Sequence, residues 1–382
     1  MVRALLCCLL IGALFAPNPF ADRRTADRVR PGSLPVETVL GWLANQDVHE
    51  PFVPESLVGL PSDLSTFLPA DRPLTQAKVE LGRQLFFDKR LSRHGQSSCA
   101  TCHDPEFGWS GGRDVPLGRR PGHPGLDAPA LVNLLLEESP EHPLEARTLE
   151  ALTSPTEMYA HLPHIIERLQ NVEGYRLQFA AIFGVPIDVD SISSALSAFQ
   201  RTLLSGGSPN DYEVAALAFD DPAELVGHPG AIRHMNEVLD ERERHRMSPQ
   251  AEVGRALFQG QAGCTQCHSG LDLSDGLSHN TGIGWNAGIA GAEPDAEDSA
   301  TGKYRTPSLR NVAATAPYMH DGSLTSLEDV IEYYDAGGRT HPELSEHLKP
   351  LGLDAQDKAA LLAFLREGLA GKSATTDLPR LP

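Results

Sequence analysis

Cys99-Ala-Thr-Cys-His103 and Cys264-Thr-Gln-Cys-His268 are two copies of one pattern, Cys-x-x-Cys-His. This pattern is the attachment signature of a c-type haem, in which both thiols bind the porphyrin covalently and the histidine ligates the iron. A zinc site needs four thiolates around one metal, and thiol redox chemistry does not need a histidine after each pair. The sequence therefore predicts two covalently bound haem c groups. They are attached at Cys99, Cys102, Cys264 and Cys267, with His103 and His268 as proximal ligands.

The segments around the two motifs repeat as well. Gly82-Arg-Gln-Leu-Phe86 precedes the first motif, and Gly254-Arg-Ala-Leu-Phe258 precedes the second. Ala128-Pro-Ala-Leu-Val-Asn133 follows the first motif, and Thr306-Pro-Ser-Leu-Arg-Asn311 follows the second. Matched elements on both sides predict a duplicated unit, and no stretch alternates apolar and polar residues as a strand would. We therefore expect a mainly α fold of two cytochrome c-like haem domains related by internal duplication.

Residues 1–21 have the features of a secretory signal peptide, with Arg3 followed by a short apolar run and small residues. The run is too short to span a bilayer in the usual way, so we expect a cleaved signal and no stable membrane span. Cys7 and Cys8 lie within it, and all remaining cysteines belong to the haem motifs. Export suits a c-type haem, which is attached on the far side of the bacterial membrane, and predicts a periplasmic protein.

The rest of the chain divides at changes of composition. Residues 22–72 are rich in proline, which predicts a segment that wraps over the domains and is not a domain of its own. We expect an N-terminal haem domain over residues 73–220, a polar connection over 221–248, a C-terminal haem domain over 249–372 and a tail over 373–382.

The chain has 51 acidic and 32 basic residues, and its formal charge is −19. This excess argues against binding to nucleic acid, which requires a basic surface. It suits the electrostatic attraction of a basic protein partner. Charge that only keeps the protein soluble would give the same composition.

Three segments have the spacing and the end signals of amphipathic helices. One is capped by Asp190 or Ser191, and another occupies about residues 354–369. The third covers residues 326–336, begins with a capping box and ends at two glycines. Its apolar face includes Tyr334, whose inward phenol needs a partner. That partner is either a backbone group or a haem iron.

Four segments together resemble the di-haem cytochrome c peroxidase/MauG family, namely residues 81–92, the first haem motif, residues 306–311 and residues 315–322. The resemblance covers roughly residues 74–370. It implies two haems near the domain interface. The N-terminal, peroxidatic haem of the family reacts with hydrogen peroxide, and the C-terminal, electron-transfer haem stores or relays an electron.

The C-terminal haem of these peroxidases usually has His and Met as axial ligands, and MauG and its near relatives have Tyr in place of Met. The matching position lies seventeen residues after Pro317, at Tyr334. The resemblance therefore places the chain nearer the MauG-like branch, with His268 and Tyr334 on the second iron. Met319 is a soft thioether in the same domain, and we expect it only to pack.

In the N-terminal haem pocket, the resemblance gives Glu157 the role of an acid–base group that moves a proton between the two peroxide oxygens. Arg147 replaces a Gln of the family and would stabilise charge on the departing oxygen, unless it is a solvent-facing helix charge. Arg119 stands where peroxidases that need reductive activation have a distal His. We therefore expect an open sixth position on the His103 iron, with His123 as the alternative ligand if the loop shifts.

The family also places a calcium ion between the haems. Its ligands correspond to the side chain of Asp127 and the backbone carbonyls of Thr315 and Pro317. The family usually has Asn at the first of these positions, and Asp suits a hard cation equally well. A solvated loop carboxylate is the alternative interpretation of Asp127.

Two tryptophans of the family are missing from this chain. The segment with the inter-haem Trp is absent after Asn133, so Trp109 or Trp285 would have to relay charge, unless both are core residues. Ala262 stands six residues before His268, where MauG has the surface Trp used to oxidise its protein substrate. This weighs against the same tryptophan chemistry.

The sequence predicts an oxidoreductase that uses hydrogen peroxide, and two enzymatic functions stand. The first is a peroxidase whose electron donor is a small c-type cytochrome or a cupredoxin. The alternative is a MauG-like enzyme that oxidises a side chain in a partner protein. A non-enzymatic di-haem electron-transfer cytochrome is the least favoured class, because Arg119 cannot close the first iron as a distal His would. A homodimer is compatible with each of these functions.

Overall fold

The computed structural model describes residue 29 and residues 32–112, 127–155, 157–217, 219, 229–283 and 302–382. The described chain is mainly helical, as the sequence predicts, and its strands form two short antiparallel pairs. The helices α1 to α12 are Val36–Leu43, Gln76–Phe87, Cys99–Cys102, Leu144–Thr153, Leu162–Gln170, Glu173–Phe183, Val189–Gln200, Pro209–Leu217, Pro229–Arg244, Pro249–Gln259, Leu327–Asp335 and Ala355–Ala363. The strands β1 to β4 are Ser205–Gly206, Ser278–Asn280, Lys303–Arg305 and Lys372–Ser373.

Short 3₁₀ helices connect these elements and carry parts of both motif regions. They are Gln46–His49, Leu64–Phe67, Lys89–Leu91, Pro105–Phe107, Leu134–Glu137, Cys264–Gln266 and Val312–Ala314. A π-helix, Phe364–Gly368, directly continues α12. The expected last helix, about residues 354–369, therefore changes its hydrogen-bond pattern after Ala363.

The first half of the molecule is built around the contact of α2 with α7. Gly82 of α2 lies directly against α7, because a Cβ atom added to it would stand 1.8 Å from the carbonyl oxygen of Ala195 and 3.0 Å from Cβ of Phe199. The rings of Phe86, Phe199 and Trp109 pack edge to face around this crossing. A side chain at position 82 would force the helices apart, so a glycine sets their distance.

The second half repeats this contact with α10 and α12. A Cβ atom added to Gly254 would stand 1.9 Å from the carbonyl oxygen of Ala360 and 2.8 Å from Cβ of Phe364. Phe258 packs against Phe364 with ring centroids 5.2 Å apart. Gly82 and Gly254 are the first residues of the repeated Gly-Arg-x-Leu-Phe segments, and the predicted internal duplication is confirmed.

The asparagines that end the second pair of repeated segments also have equivalent roles. Asn133 and Asn311 both adopt left-handed backbone conformations, with φ of 58° and 56°. The amide nitrogen of Asn133 donates to Leu203 and its Oδ1 accepts from the amide of Ser205. Asn311 makes the same two bonds farther along the chain. Its amide donates to the Leu369 carbonyl, and its Oδ1 accepts from the Gly371 amide.

Two of the predicted helices begin close to where the sequence signals place them. Helix α11 has the expected capping box, in which Ser326 and Asp329 exchange hydrogen bonds. Helix α7 starts earlier than predicted because its cap is Asp188, which accepts from the amide of Ser191. Ser191, one of the two caps that the sequence suggests, is instead the partner of Asp188 in the capping box.

The end of the described chain packs on the first half of the molecule. Strand β4 pairs with β1, and the Ala374 carbonyl accepts a hydrogen bond from Nε1 of Trp109 at 2.9 Å. Farther on, the Leu381 carbonyl accepts from the Leu34 amide at 2.7 Å. Residues 373–382, expected to form only a tail, therefore join the two halves. None of the helices in the described ranges combines the length and apolarity needed to cross a bilayer, and the predicted signal peptide lies outside those ranges.

Candidate haem-binding sites

The first haem motif lies on α3, and its histidine is held by the backbone of the following loops. Nδ1 of His103 donates to the carbonyl of Pro129 at 3.0 Å, and the carbonyl of Trp109 also faces this ring. Burial lowers the pKa of His103 to about 4. The imidazole is therefore neutral at ordinary pH, with Nδ1–H engaged and Nε2 available as a metal ligand.

The second motif repeats this arrangement. Nδ1 of His268 donates to the carbonyl of Leu273 at 3.0 Å, and the carbonyl of Pro307 also faces the ring. Burial lowers the pKa of His268, and the nearby Asp275 carboxylate partly opposes that change. Pro307 and Pro129 occupy the same place in the repeated segments. Both histidines are therefore oriented in the way that metal-ligating histidines usually are.

The cysteines beside each histidine are thiols. Burial raises the pKa of Cys99 and that of Cys264 to about 12, so both thiols are protonated at neutral pH. Two thiols placed in this way can bind a haem covalently. At each site the donor set, two thiols followed by a neutral imidazole with a free Nε2, fits haem c.

Tyr334 of α11 lies against the second thiol pair. Burial raises the pKa of Tyr334 above its ordinary value, and the neighbouring Cys264 and Cys267 add to this effect. Among the residues that the structure describes, none forms a hydrogen bond with the Tyr334 hydroxyl. The backbone partner that we considered as an alternative is therefore not found within those residues.

Glu157 stands beside the first thiol pair. Its charge contributes to the raised pKa of Cys99, after burial and the neighbouring Cys102. The turn that carries it is fixed by hydrogen bonds from the amides of Glu157 and Tyr159 to the Ser154 carbonyl, at 3.1 and 2.9 Å. The exposed Glu157 side chain is thus presented at the first haem site.

The side chain of Arg147, on α4, is partly buried. Its Nη1 lies 3.5 Å from Oε2 of Glu137. Its Nε and Nη2 are buried and have no hydrogen-bond partner among the described residues. A guanidinium with two buried donors that no described residue uses can bind an electron-rich group.

The residues expected to bind calcium approach one another across the two halves. The amide of Asp127 donates to the His320 carbonyl at 2.6 Å, which joins its segment to the loop containing Thr315 and Pro317. Oδ1 of Asp127 is buried. Glycines of one turn lie next to Asp127 and Thr315, because an added Cβ would stand 2.1 Å from Asp127 Oδ1 at Gly111 and 3.1 Å from Thr315 Cγ2 at Gly108. The oxygen donors present fit a hard cation.

The remaining candidate residues either pack in a hydrophobic core or lie outside the residues that the structure describes. Trp109 is fully buried between Phe86 and Phe199, and Ala262 packs in the hydrophobic core of the second half, which includes Phe258 and Phe364. Core packing is thus the observed role of Trp109. Arg119, His123 and Trp285 lie outside the described residues.

A buried polar junction between the halves was not predicted. Oδ1 of Asp272 accepts from Nδ2 of Asn133 at 2.8 Å and from Oγ of Ser308 at 3.2 Å. Arg310 lies 3.7 Å from the same oxygen and forms a bidentate pair with Asp211. Burial raises the pKa of Asp272 to about 6. The only sequence signal for this junction was the repetition of Asn133 and Asn311, and it did not identify Asp272 as the partner of Asn133.

The comparison with known proteins agrees with this architecture. A family model described as di-haem cytochrome c peroxidase matches residues 76–216. The methylamine utilization protein MauG of Methylorubrum extorquens is 38% identical over 330 residues, covering 82% of this chain and 84% of the relative. The cytochrome c551 peroxidase of Nitrosomonas europaea is 27% identical over 316 residues, covering 80% and 83%.

A solved structure of a MauG-like protein associated with microbial copper homeostasis has 31% sequence identity and a TM-score of 0.63. The match covers 79% of this chain and 92% of that chain. The chain therefore belongs to the di-haem cytochrome c peroxidase/MauG family. It is an oxidoreductase of that family, with haem c as its cofactor.

Proposed function

We propose that the protein reacts with hydrogen peroxide at the haem that would be attached beside His103, and that Tyr334 would join His268 in ligating the iron of the other haem. The observation that carries this proposal is the position of Tyr334. Its phenol lies against Cys264 and Cys267, and none of the described residues hydrogen-bonds its hydroxyl. The two sites would therefore differ in the groups that face each haem from the side opposite its histidine, and so in their chemistry.

Haem supplies redox-active iron at each site, and the chain supplies the groups that direct its chemistry. The hydrogen bond from His103 to the Pro129 carbonyl keeps the imidazole fixed and electron-rich. Glu157 takes the proton from the inner peroxide oxygen and returns it to the outer one, so that water can leave. Buried Nε and Nη2 of Arg147 stabilise the negative charge that develops on the departing oxygen.

Tyr334 favours the MauG-like function over conventional electron relay. A phenolate oxygen stabilises ferric and more oxidised iron relative to a methionine sulfur, because it is a harder, anionic donor. Burial raises the pKa of this phenol, so the proton must be displaced by the metal itself. With Tyr334 as a ligand, the haem would retain oxidising equivalents, which suits the oxidation of a side chain in a partner protein.

The peroxidase function is the second candidate, and the charge of the chain favours it. A formal charge of −19 attracts a basic redox protein, such as a small c-type cytochrome, towards the His268 haem. A cupredoxin would serve the same role.

We also propose that the protein is periplasmic and that Asp127, Thr315 and Pro317 bind a calcium ion.

Stopped-flow mixing of the di-haem protein with hydrogen peroxide tests these functions, with and without a reduced, basic mono-haem cytochrome c. A long-lived oxidised spectrum that the cytochrome does not discharge supports oxidation of a partner protein. Rapid, repeated oxidation of the cytochrome supports the peroxidase. No spectral reaction with peroxide would exclude both.

The role of Glu157 is tested in the same experiment with Glu157→Gln. General acid–base catalysis contributes about 10²- to 10⁴-fold, so we expect the peroxide reaction to slow by at least about 100-fold. Glu150→Gln, which removes an exposed carboxylate from α4, is the matched control. If Glu157→Gln reacts as fast as that control with both haems attached, Glu157 has no such role.

A further inference from the structure

Glu137 lies between the two halves of the molecule. It is the last residue of the 3₁₀ helix that follows Asn133. Its Oε2 stands 3.5 Å from Nη1 of Arg147 and 3.3 Å from Nη2 of Arg305. Arg147 belongs to α4 of the first half and Arg305 to β3 of the second. One carboxylate oxygen is therefore shared by guanidinium groups of both halves.

The contact with Glu137 uses only one end of the Arg147 guanidinium. Nη1 faces the carboxylate, whereas Nε and Nη2 are buried without hydrogen-bond partners among the described residues. Leaving a buried donor unsatisfied is costly, so a side chain without restraint would turn to relieve it. The ion pair with Glu137 opposes that rotation and keeps the two donors directed inward.

On the other side, Arg305 is connected to the loop of the second haem motif. Strand β3 pairs with β2, in which Ser278 is the partner of Arg305. A Cβ atom added to Gly276 would stand 3.2 Å from Nη2 of Arg305, so the guanidinium lies over that loop. The amide of the preceding residue, Asp275, donates to the carbonyl of Cys267 at 2.7 Å. Arg305 therefore links Glu137 to the loop that follows the second thiol pair.

Glu137 is also close to the buried junction of the two halves. Its negative charge adds to burial in raising the pKa of Asp272, which bonds to Asn133. The carboxylate thus lies in the region that follows Asn133, where the inter-haem Trp segment of the family is missing. A charged bridge connects the halves at this place.

We infer that Glu137 is a positioning residue, which holds the Arg147 guanidinium for the first haem pocket from an anchor on the second domain, Arg305. This inference rests on the proposed function in placing peroxide at the His103 haem and the Arg147 guanidinium beside it. Its direct consequence is that binding of an anion to the first haem depends on an ion pair made across the domain boundary. A substitution at Arg305 should then change anion binding in the first haem pocket, although Arg305 belongs to the second half of the molecule.

Fluoride binding to the ferric protein measures this positioning without turnover, because Arg147 would stabilise a bound anion. We expect Glu137→Gln to weaken fluoride binding about tenfold, since misplaced electrostatic groups lose most of their effect. Arg305→Gln should weaken it about threefold. Glu137→Asp, which retains the charge, should restore part of the loss. Glu80→Gln removes a comparable ion pair with Arg83 (2.8 Å) within α2, and it should leave fluoride affinity unchanged.

The same variants separate this inference from the proposed function. Haem content and thermal unfolding show whether each variant is folded, and the fluoride titration then reports on the pocket alone. If Glu137→Gln and Arg305→Gln bind fluoride as Glu80→Gln does, the bridge does not position Arg147 and the inference is wrong. Weaker fluoride binding in a protein that does not react with peroxide would support the positioning role while overturning the proposed function.

Discussion

The rings of Tyr333 and Tyr334 lie 5.7 Å apart with their planes at 90°, and the two phenols have different surroundings. The hydroxyl of Tyr333 donates to the Thr281 carbonyl and accepts from the Arg339 amide. Tyr334 instead lies against the second thiol pair. Consecutive residues on a helix point about 100° apart, so one tyrosine joins the surrounding loops while the other reaches the haem site. Helix α11 therefore provides a test residue and its control side by side.

Tyr334→Phe should change the spin state of the second haem, because phenylalanine offers no ligand atom. We expect the resting wild-type protein to show one high-spin ferric haem and one low-spin haem with His and Tyr ligands. Electron paramagnetic resonance of Tyr334→Phe should show the low-spin signal lost. Tyr333→Phe removes hydrogen bonds worth roughly 1 kcal/mol and should keep that signal. An unchanged signal in Tyr334→Phe would rule out the proposed ligation, and two low-spin haems in the wild-type protein would rule out the open position on the first iron.

Local sequence patterns predict that the Tyr334 side chain points inward, but they do not predict which haem motif it contacts. The capping box and the apolar spacing of α11 determine the face on which the phenol lies. Its proximity to Cys264 depends on the path of about seventy intervening residues, which no local pattern encodes. The family resemblance supplied the pairing instead.

Gly82→Ala and Gly254→Ala should each destabilise the half in which the glycine lies. Their added methyl groups would stand 1.8 and 1.9 Å from backbone oxygens of the facing helices, which cannot move as a flexible side chain does. Overpacking of this kind typically costs about 1–3 kcal/mol, and a clash with backbone exceeds that range. Urea unfolding of the di-haem protein, followed by circular dichroism, measures the loss.

Gly41→Ala in α1 is the control for these two substitutions. A Cβ atom there meets nothing within 4 Å, and alanine is favoured over glycine in a helix by roughly 1 kcal/mol. The control should be neutral or slightly stabilising. Equal stability of all three variants would mean that the helix crossings are not as close as described.

The repeated glycines and asparagines show which long-range contacts a sequence can reveal. Because Gly82 and Gly254 recur at the same place in both copies, the duplication and its helical class followed from the chain alone. Asp272 has no counterpart in the first copy that would identify its role. Its contact with Asn133 spans the two halves, and only the packing of one half on the other determines it. Features unique to one copy were therefore the ones missed.

Asp127→Ala should remove the proposed calcium ion, because it takes away the only predicted side-chain ligand. We expect calorimetric titration of chelator-treated protein to show one tight Ca²⁺ site, with affinity at least tenfold weaker in the variant. Asp127→Asn retains an oxygen donor and should lie between the two. Asp321→Ala, on the loop that contains Thr315 and Pro317, is the control. If Asp127→Ala binds Ca²⁺ as Asp321→Ala does, Asp127 is not a ligand.

Asp272→Asn should make the stability of the protein less sensitive to rising pH. Burial raises the pKa of Asp272 from its ordinary value of 3.8 to about 6, so the folded state holds this proton more tightly than the unfolded state. The stability that the neutral acid provides is full below about pH 4 and is lost as the pH rises towards 6. Each pKa unit corresponds to about 1.4 kcal/mol, so a shift from 3.8 to about 6 makes the loss on the order of 3 kcal/mol.

Asparagine cannot ionise, and its Oδ1 still accepts from Asn133. The difference in unfolding free energy between wild type and Asp272→Asn should therefore shift in favour of the variant between pH 4 and pH 7. Asp63→Asn, at an exposed carboxylate whose pKa is lowered by Ser65, should shift in the opposite direction. Urea titrations of the three proteins at both pH values measure these shifts. A constant difference for Asp272→Asn would show that the carboxylate is ionised throughout and that Arg310 compensates its charge fully.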